Sequence, residues 1–375
     1  MKSLFSSSRQ IGGGLMLSLT LSLTLSLPMA ACSDPEQAET AAETRAHTPA
    51  PAFAHDQAIR DLYAAALAAG ESELVLYTAF PDTAALWQAF NQDFPGIRLI
   101  PSLSQQVYTR LEGEARSGNA MGDLVLAGWG TLAELVRQGR IERHVPETAR
   151  HLPERYADPE GYYQLPWVNA FTLAYNTSQI APEEVPSTWA DILDERWKGK
   201  FSHPRFGGIS PHDASLIVLQ EGGKLSDDDL FRLREHARPS DGSGNQIVMT
   251  QLAQGRFAFI LFVPAQSVTR LADSGAPIKA AFPQDATVLY GPGVGLVKGA
   301  PHPHAAKLLK NWLFTPRAQA LIAAQEYAYG TMPGTPPPPG FPPVDTFEQV
   351  HIPYAEANAY FDRYRQKVAT IWGLD

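Results

Sequence analysis

Short apolar runs alternate along this chain with longer stretches in which apolar residues recur every three or four positions. Leu74-Val75-Leu76-Tyr77, with Gly70 just before it, predicts a buried strand. Thr78-Ala79-Phe80-Pro81-Asp82 then reads as a turn, and Asp82 or Thr83 can cap a helix whose Leu86, Phe90 and Phe94 fall on one face. A strand feeding a short loop and a helix N-terminus is how open α/β sheets build ligand sites at the carboxyl ends of their strands. Around this unit lie a helix over 56–69 stopped by Gly70 and a strand over 97–101. A helix over 105–116 capped by Ser104 follows, then a strand over 123–127 ending at Gly128-Trp129-Gly130, and a helix over 131–138. Alternating strands and helices predict a mostly parallel sheet covered on both faces.

The run 163–175 is longer than most strands and contains Pro166, which suits a segment leaving one domain for another. Beyond it the pattern restarts. A strand begins at 199–202. A Gly-rich loop, Phe206-Gly207-Gly208-Ile209-Ser210, precedes a helix over 212–220, and a second, Gly242-Ser243-Gly244-Asn245, precedes a helix over 246–253. A strand over 257–262, a helix over 264–273 and a strand over 278–282 complete the second half. The glycine-laced segment 290–298 is placed to cross back. A single amphipathic helix is expected over 304–325, a Pro-rich linker over 334–343, and a last helix over 345–372. The division expected is one α/β lobe from 56–169 with 287–333, a second from 170–286, and a C-terminal extension over 334–375.

The first 55 residues stand apart. Lys2 and Arg9 precede an apolar stretch over 11–28, the layout of a secretory leader over 1–31. Met29-Ala30-Ala31-Cys32 resembles a bacterial lipobox, which implies a lipidated Cys32 as first mature residue and attachment to a membrane face. Residues 32–55 are rich in Ala, Thr, Glu and Pro and read as a disordered tether. Cys32 is the only cysteine, so a disulfide within the chain and a thiolate metal cluster are both excluded. A net charge of −9 gives no footprint for nucleic acid. Neither a Gly-x-Ser-x-Gly elbow nor a His-Glu-x-x-His motif occurs, and no catalytic role or cofactor is expected.

Several segments, in order, resemble the extracellular solute-binding proteins of ABC importers, in the group that includes periplasmic iron(III)-binding proteins. They are the 59–70 helix with Leu74-Val75-Leu76-Tyr77, Glu114-Ala115-Arg116-Ser117-Gly118-Asn119 with Asp123-Leu124-Val125, and Tyr175-Asn176-Thr177. Pro186-Ser187-Thr188-Trp189, Trp197-Lys198-Gly199-Lys200 and Lys298-Gly299-Ala300-Pro301 continue the series. The resemblance implies a type 2 periplasmic-binding fold, two α/β lobes joined by two crossing strands and closing on a ligand, a permease partner in the inner membrane, and a monomer. Iron-binding relatives hold the ion with a His, a Glu and tandem Tyr. The corresponding positions here are Pro81, Gly128 and Ala265-Gln266, none of which supplies the anionic oxygen a ferric ion needs, so no metal site is expected. A small organic or anionic ligand fits better, with both Gly-rich loops offering helix N-termini to phosphate, phosphonate or carboxylate. The candidate contacts are Tyr77, Thr78, Phe80, Ser104 and Trp129 in the first lobe, Gly207, Gly208, Ser210, Ser243, Asn245 and Gln266 in the second, and Tyr290 at the return crossing. Alternatives left open are a sensor domain for a signalling partner, and iron(III) binding without the Tyr pair.

Overall fold

The computed structural model describes residues 56–80, 83–104, 106–204, 206, 211–240, 244–351 and 366–372, the side chains of Trp129, Pro211 and Asp213 apart. The expected leader, the tether and Cys32 lie outside the described residues, as do Pro81, Asp82, Gly207, Gly208, Ser210 and Ser243.

Two sheets organise the described chain. In the first, α1 (Gln57–Ala68) leads into β1 (Glu73–Thr78), which pairs in parallel with β2 (Arg98–Leu103) and β3 (Leu124–Ala127). Between these strands run α2 (Ala84–Asp93) and α3 (Val107–Ser117), and α4 (Trp129–Arg137) follows β3. The later β11 (Gly293–Val297) pairs antiparallel with β3 and carries β4 (Ile141–Glu142) and β5 (Tyr163–Gln164). The second sheet is centred on β6 (Trp167–Asn176), buried at every position, as a strand covered on both faces must be. β6 pairs with β8 (Phe259–Pro264), β9 (Ile278–Ala281), β10 (Thr287–Tyr290) and β12 (Tyr329–Gly330). β7 (Phe201–Ser202) extends it parallel to β8, and β13 (Gln349–His351) parallel to β10. The helices α5 (Trp189–Ile192), α6 (Pro211–Glu221), α7 (Asp227–His236), α8 (Asn245–Ala253) and α9 (Ala265–Asp273) belong to this half. α7 is not among the helices expected from the sequence, although Ser226 and Asp229 form a capping box at its start.

Three expectations change. The helix expected over 304–325 is two helices, α10 (Pro303–Trp312) and α11 (Pro316–Glu326). Pro316 has no N–H to continue α10, and the Thr315 hydroxyl instead accepts from Ala318 N at 3.3 Å and caps α11. The helix expected from 345 is replaced at its start by β13, and residues 366–372 are helical. The Pro-rich 334–343 stretch is no free linker: Phe341 and Phe347 are buried against Phe282, with ring centroids 5.2 and 5.7 Å away.

The lobe boundaries also shift. Gln164 pairs within the first sheet and Trp167 opens the second, so the outward crossing falls at Leu165-Pro166, not at 169/170. β10 lies in the second sheet and β11 in the first, so the return falls at Gly291-Pro292, not at 286/287. The chain passes between the sheets a third time, after α11, where β12 joins β6. Gln319 ties these passes together. Its amide donates to the carbonyls of Pro166 and Leu313, both at 2.8 Å, while its Oε1 accepts from Met332 N at 3.0 Å. The Thr331 hydroxyl donates to Leu165 O at 2.6 Å.

Lys310, in α10, is wholly buried, and its ammonium donates only to main-chain carbonyls among the described residues: His144 O at 2.6 Å and Tyr162 O at 3.4 Å. Burial pushes its pKa down from 10.5 to about 7, against a small opposing pull from Asp158. Between those values the unfolded chain holds a proton that the native chain has shed. Lys310 therefore contributes stability that is full above 10.5 and lost as pH falls through about 7. Lys310→Met should flatten this dependence. In urea titrations the variant should gain on wild type as pH falls from 9 to 6; a constant difference would show that Lys310 does not titrate there.

Candidate functional site

The described candidates concentrate where the strands of both sheets end, at the crossings. Tyr290 ends β10 and is paired with Asn169 of β6. One strand over, Pro264 ends β8 opposite Phe171, and Gln266 follows two residues later, at the second position of α9. Neighbouring strands lie about 4.8 Å apart, so Asn169 and Tyr290 stand side by side on the floor between the lobes, and Gln266 opens the helix that follows the adjacent strand. The Tyr290 ring stands edge-on to Phe171, with centroids 6.1 Å apart at 79°. Its hydroxyl reaches the first lobe at Gly128, where an added Cβ would sit 2.4 Å from it. Gly128 precedes α4 and has no side chain to cap that helix. The glycine is therefore the socket for a tyrosine hydroxyl from the opposite strand, placed at the positive end of a helix.

Other second-lobe candidates have unused polar capacity. Gln266 Oε1 and Asn245 Oδ1 are buried atoms with no hydrogen-bond partner among the described residues. Gln266 stands at the start of α9 and Asn245 at the start of α8, both half-buried. A buried acceptor without a donor is costly.

The first-lobe candidates divide. Tyr77 faces the lobe interior, not the cleft. It is fully buried, its hydroxyl bonds to the Glu114 carboxylate, and the Arg110 guanidinium lies 4.6 Å over its ring. Burial foremost, then Glu114, pushes its pKa to about 12, so it stays a neutral phenol. Thr78 is also buried and shapes the loop: Oγ1 accepts from Phe80 N at 3.0 Å, and its carbonyl accepts from Ser104 N at 2.9 Å. Ser104 Oγ in turn accepts from Gln106 N at 3.0 Å, a local turn contact ahead of α3. Phe80 is half-buried against the first-lobe core. Trp129 opens α4. Sequence reading missed Asn169 and the pairing of Gly128 with Tyr290, because both depend on register between strands far apart in the chain.

No group of three or more His, Cys, Asp or Glu that could hold a metal occurs among the described residues. His302 is bound to Asp123 at 3.0 Å, and the His203 ring stacks on Phe206 at 4.2 Å. Where iron-binding relatives are expected to carry a Glu and a Tyr pair, this chain has Gly128, the buried Ala265 and the amide of Gln266.

Comparison with known proteins agrees with this architecture. The family profile described as "Bacterial extracellular solute-binding protein" matches residues 85–348. A probable ABC transporter periplasmic-binding protein, y4fP, of Sinorhizobium fredii is 25% identical over 284 residues, covering 73% of this chain and 77% of its own. Iron uptake protein A1 of Synechocystis is 25% identical over 260 residues, covering 64% and 69%. The structure of a Trichodesmium protein (IdiA, FutA) in complex with iron and citrate superposes with a TM-score of 0.65 at 20% identity, covering 80% of this chain and 99% of that one. The fold is the two-lobed α/β architecture of type 2 periplasmic-binding proteins, whose family binds and transports rather than catalyses. The chain belongs to the bacterial extracellular solute-binding proteins.

Proposed function

We propose that this protein is the receptor of an ABC importer, capturing a solute between its lobes and passing it to a permease. The observation that carries this reading is the pairing of Tyr290 with Asn169 at the crossings, with Gln266 at the start of the helix after β8, where hinge closure would bury a ligand. For the cargo, the name of the Synechocystis relative favours iron. The floor residues lack the anionic oxygens for a bare ferric ion, so the form that fits is a ferric chelate whose own carboxylates hold the metal. The Trichodesmium structure holds iron together with citrate. Neutral hydrogen-bonding groups can then receive the outer oxygens of the chelate, with the Tyr290 hydroxyl as donor. A metal-free carboxylate or phosphonate is the second reading, favoured by Gly128 and Gln266 at the positions where relatives carry metal ligands.

Thermal shift separates the two. Ferric citrate should raise the melting temperature more than citrate or a simple phosphonate, without a strong tyrosinate-to-iron absorption band, and Tyr290→Phe should weaken binding by about tenfold. A response to citrate or phosphonate alone, with none added by iron, would favour the metal-free reading. No response to any of them would remove both cargo classes.

The leader and lipobox support export and a lipid anchor at Cys32, with the protein working as a monomer on a membrane face and without nucleic acid. Cys32→Ser should move it from the membrane fraction to the soluble one; unchanged membrane association would refute the anchor. A sensor role would use the same cleft, and genes for a permease and an ATPase beside this one would decide for import.

A further inference from the structure

A second cavity lies at the far end of the second lobe. β6 enters that lobe at Trp167 and runs to Asn176, where its last residues lie beside the start of β8: Tyr175 pairs with Phe259. The cavity opens at this end, around Lys200 and Ala258, which directly precede β7 and β8. Nine residue steps of about 3.3 Å separate it from the crossing, roughly 30 Å. It is therefore distinct from the cleft.

Its volume is about 450 Å³, and its lining is strongly cationic: Arg196, Lys200, Arg238 and Arg256 against a single acid among the described residues, Glu184. That acid is committed locally, accepting from Ala181 N at 3.3 Å. The cations sit in two pairs on aromatic rings. Arg196 and Lys200 lie 4.9 and 5.8 Å from the centroid of Trp197, and Arg238 and Arg256 lie 5.7 and 5.5 Å from that of Phe257. No ion pair forms to Arg196, Lys200 or Arg238 among the described residues, although like charges sharing one ring repel. Trp197, which lines the cavity, is 8% exposed, and its buried indole N–H has no acceptor among the described residues. Arg196, Lys200 and Arg238, without a carboxylate partner among the described residues and gathered in one cavity, call for an oxygen-rich anion. On a chain of net charge −9 such a cluster is not a consequence of overall composition.

We propose that this cavity binds a phosphate-class oxyanion. Guanidinium forks pair with phosphate oxygens in bidentate fashion, and Lys200 adds a point charge at the rim. The phosphate can come from a free ester or from a phospholipid headgroup; the chemistry of the site is shared.

The test is calorimetric titration of the full chain at low salt with inorganic phosphate and glycerol 3-phosphate, and flotation with vesicles of 30% phosphatidylglycerol in phosphatidylcholine. Arg196→Glu/Lys200→Glu, both exposed positions, should weaken binding by about tenfold or more. Lys200→Arg should retain it, and Tyr290→Phe in the cleft should leave it unchanged. Binding of free phosphate identifies soluble esters as the ligand. Vesicle binding without it, lost in the charge-reversed variant, identifies headgroups. No binding in either arm, equal binding by the charge-reversed variant, or loss in Tyr290→Phe would overturn the proposal; the last would place the anion in the cleft. Circular dichroism of the charge-reversed variant guards against unfolding as the cause.

Discussion

Gly291→Ala should lower the stability of the protein by about 3 kcal/mol or more, the cost of forcing volume against backbone that has nowhere to move. The added Cβ would stand 1.9 Å from the carbonyl oxygen of Trp167, 2.9 Å from its carbon and 3.0 Å from Val168 Cα. Every one of those atoms is main chain, and all belong to the start of β6, which is paired to β10 on one side and to β12 on the other. No rotamer change can relieve the contact. The outward and return crossings pack backbone to backbone here, so the glycine sets their separation and with it the angle between the lobes. Gly295→Ala is the control. Its Cβ would meet only side-chain atoms of Ile141 and Leu132, at 3.1 and 3.3 Å, which can shift by a few tenths of an ångström. Urea denaturation of the two variants gives the comparison. Equal, small losses would mean that the crossings are not held at contact distance.

Asp123→Ala should cost a similar amount, about 3 kcal/mol, through a different mechanism. The carboxylate is fully buried and accepts from Val75 N at 2.7 Å, His302 N at 2.7 Å and His302 Nδ1 at 3.0 Å. It thereby fastens β1 to the residue that precedes α10, which lies 179 positions from Asp123 in sequence. Removing it strands buried donors, and each unsatisfied one costs about 1–3 kcal/mol before water intrudes. Asp123→Asn keeps one acceptor but presents an amide N–H to donors, so it should recover only part of the loss. Thermal melting of the three proteins reads the order wild type, Asn, Ala. An alanine variant as stable as wild type would remove Asp123 as the clasp of the first lobe.

Much of the architecture was legible because it is written locally. The 56–69 helix appears as Gln57–Ala68, with Asp56 Oδ1 accepting from Ile59 N at 3.3 Å and Gly70 at a φ of +73°. The run from Leu74 to Tyr77 is the core of β1. Both strong punctuators in the second half, Pro166 and the glycine-laced segment after Tyr290, mark real crossings. Errors arose where one periodic pattern hid a stop. Leu308, Leu309, Trp312 and Leu313 share an apolar face whose order continues past Thr315-Pro316, and the Pro was outvoted by the periodicity. At the C-terminus the aromatic strap is not legible in the sequence, since Phe341 and Phe347 find their partners only across the fold.

The candidate site was less legible for the same reason. Tyr77 ends a strand that points toward the cleft, and only packing turns its ring inward beneath Arg110. Gly122 makes room for it: a Cβ there would lie 2.3 Å from the ring.

By itself the sequence determined the α/β class, the two-lobed plan and the solute-binding family, because periodicity, punctuation and motif order are local properties that survive without coordinates. Only the tertiary structure decided that Gly128 is a socket for Tyr290, that Asn169 is paired with it, and that four cations gather at the far end of the second lobe. Strand register and burial fix those juxtapositions, and both arise from contacts between residues that the chain itself holds far apart.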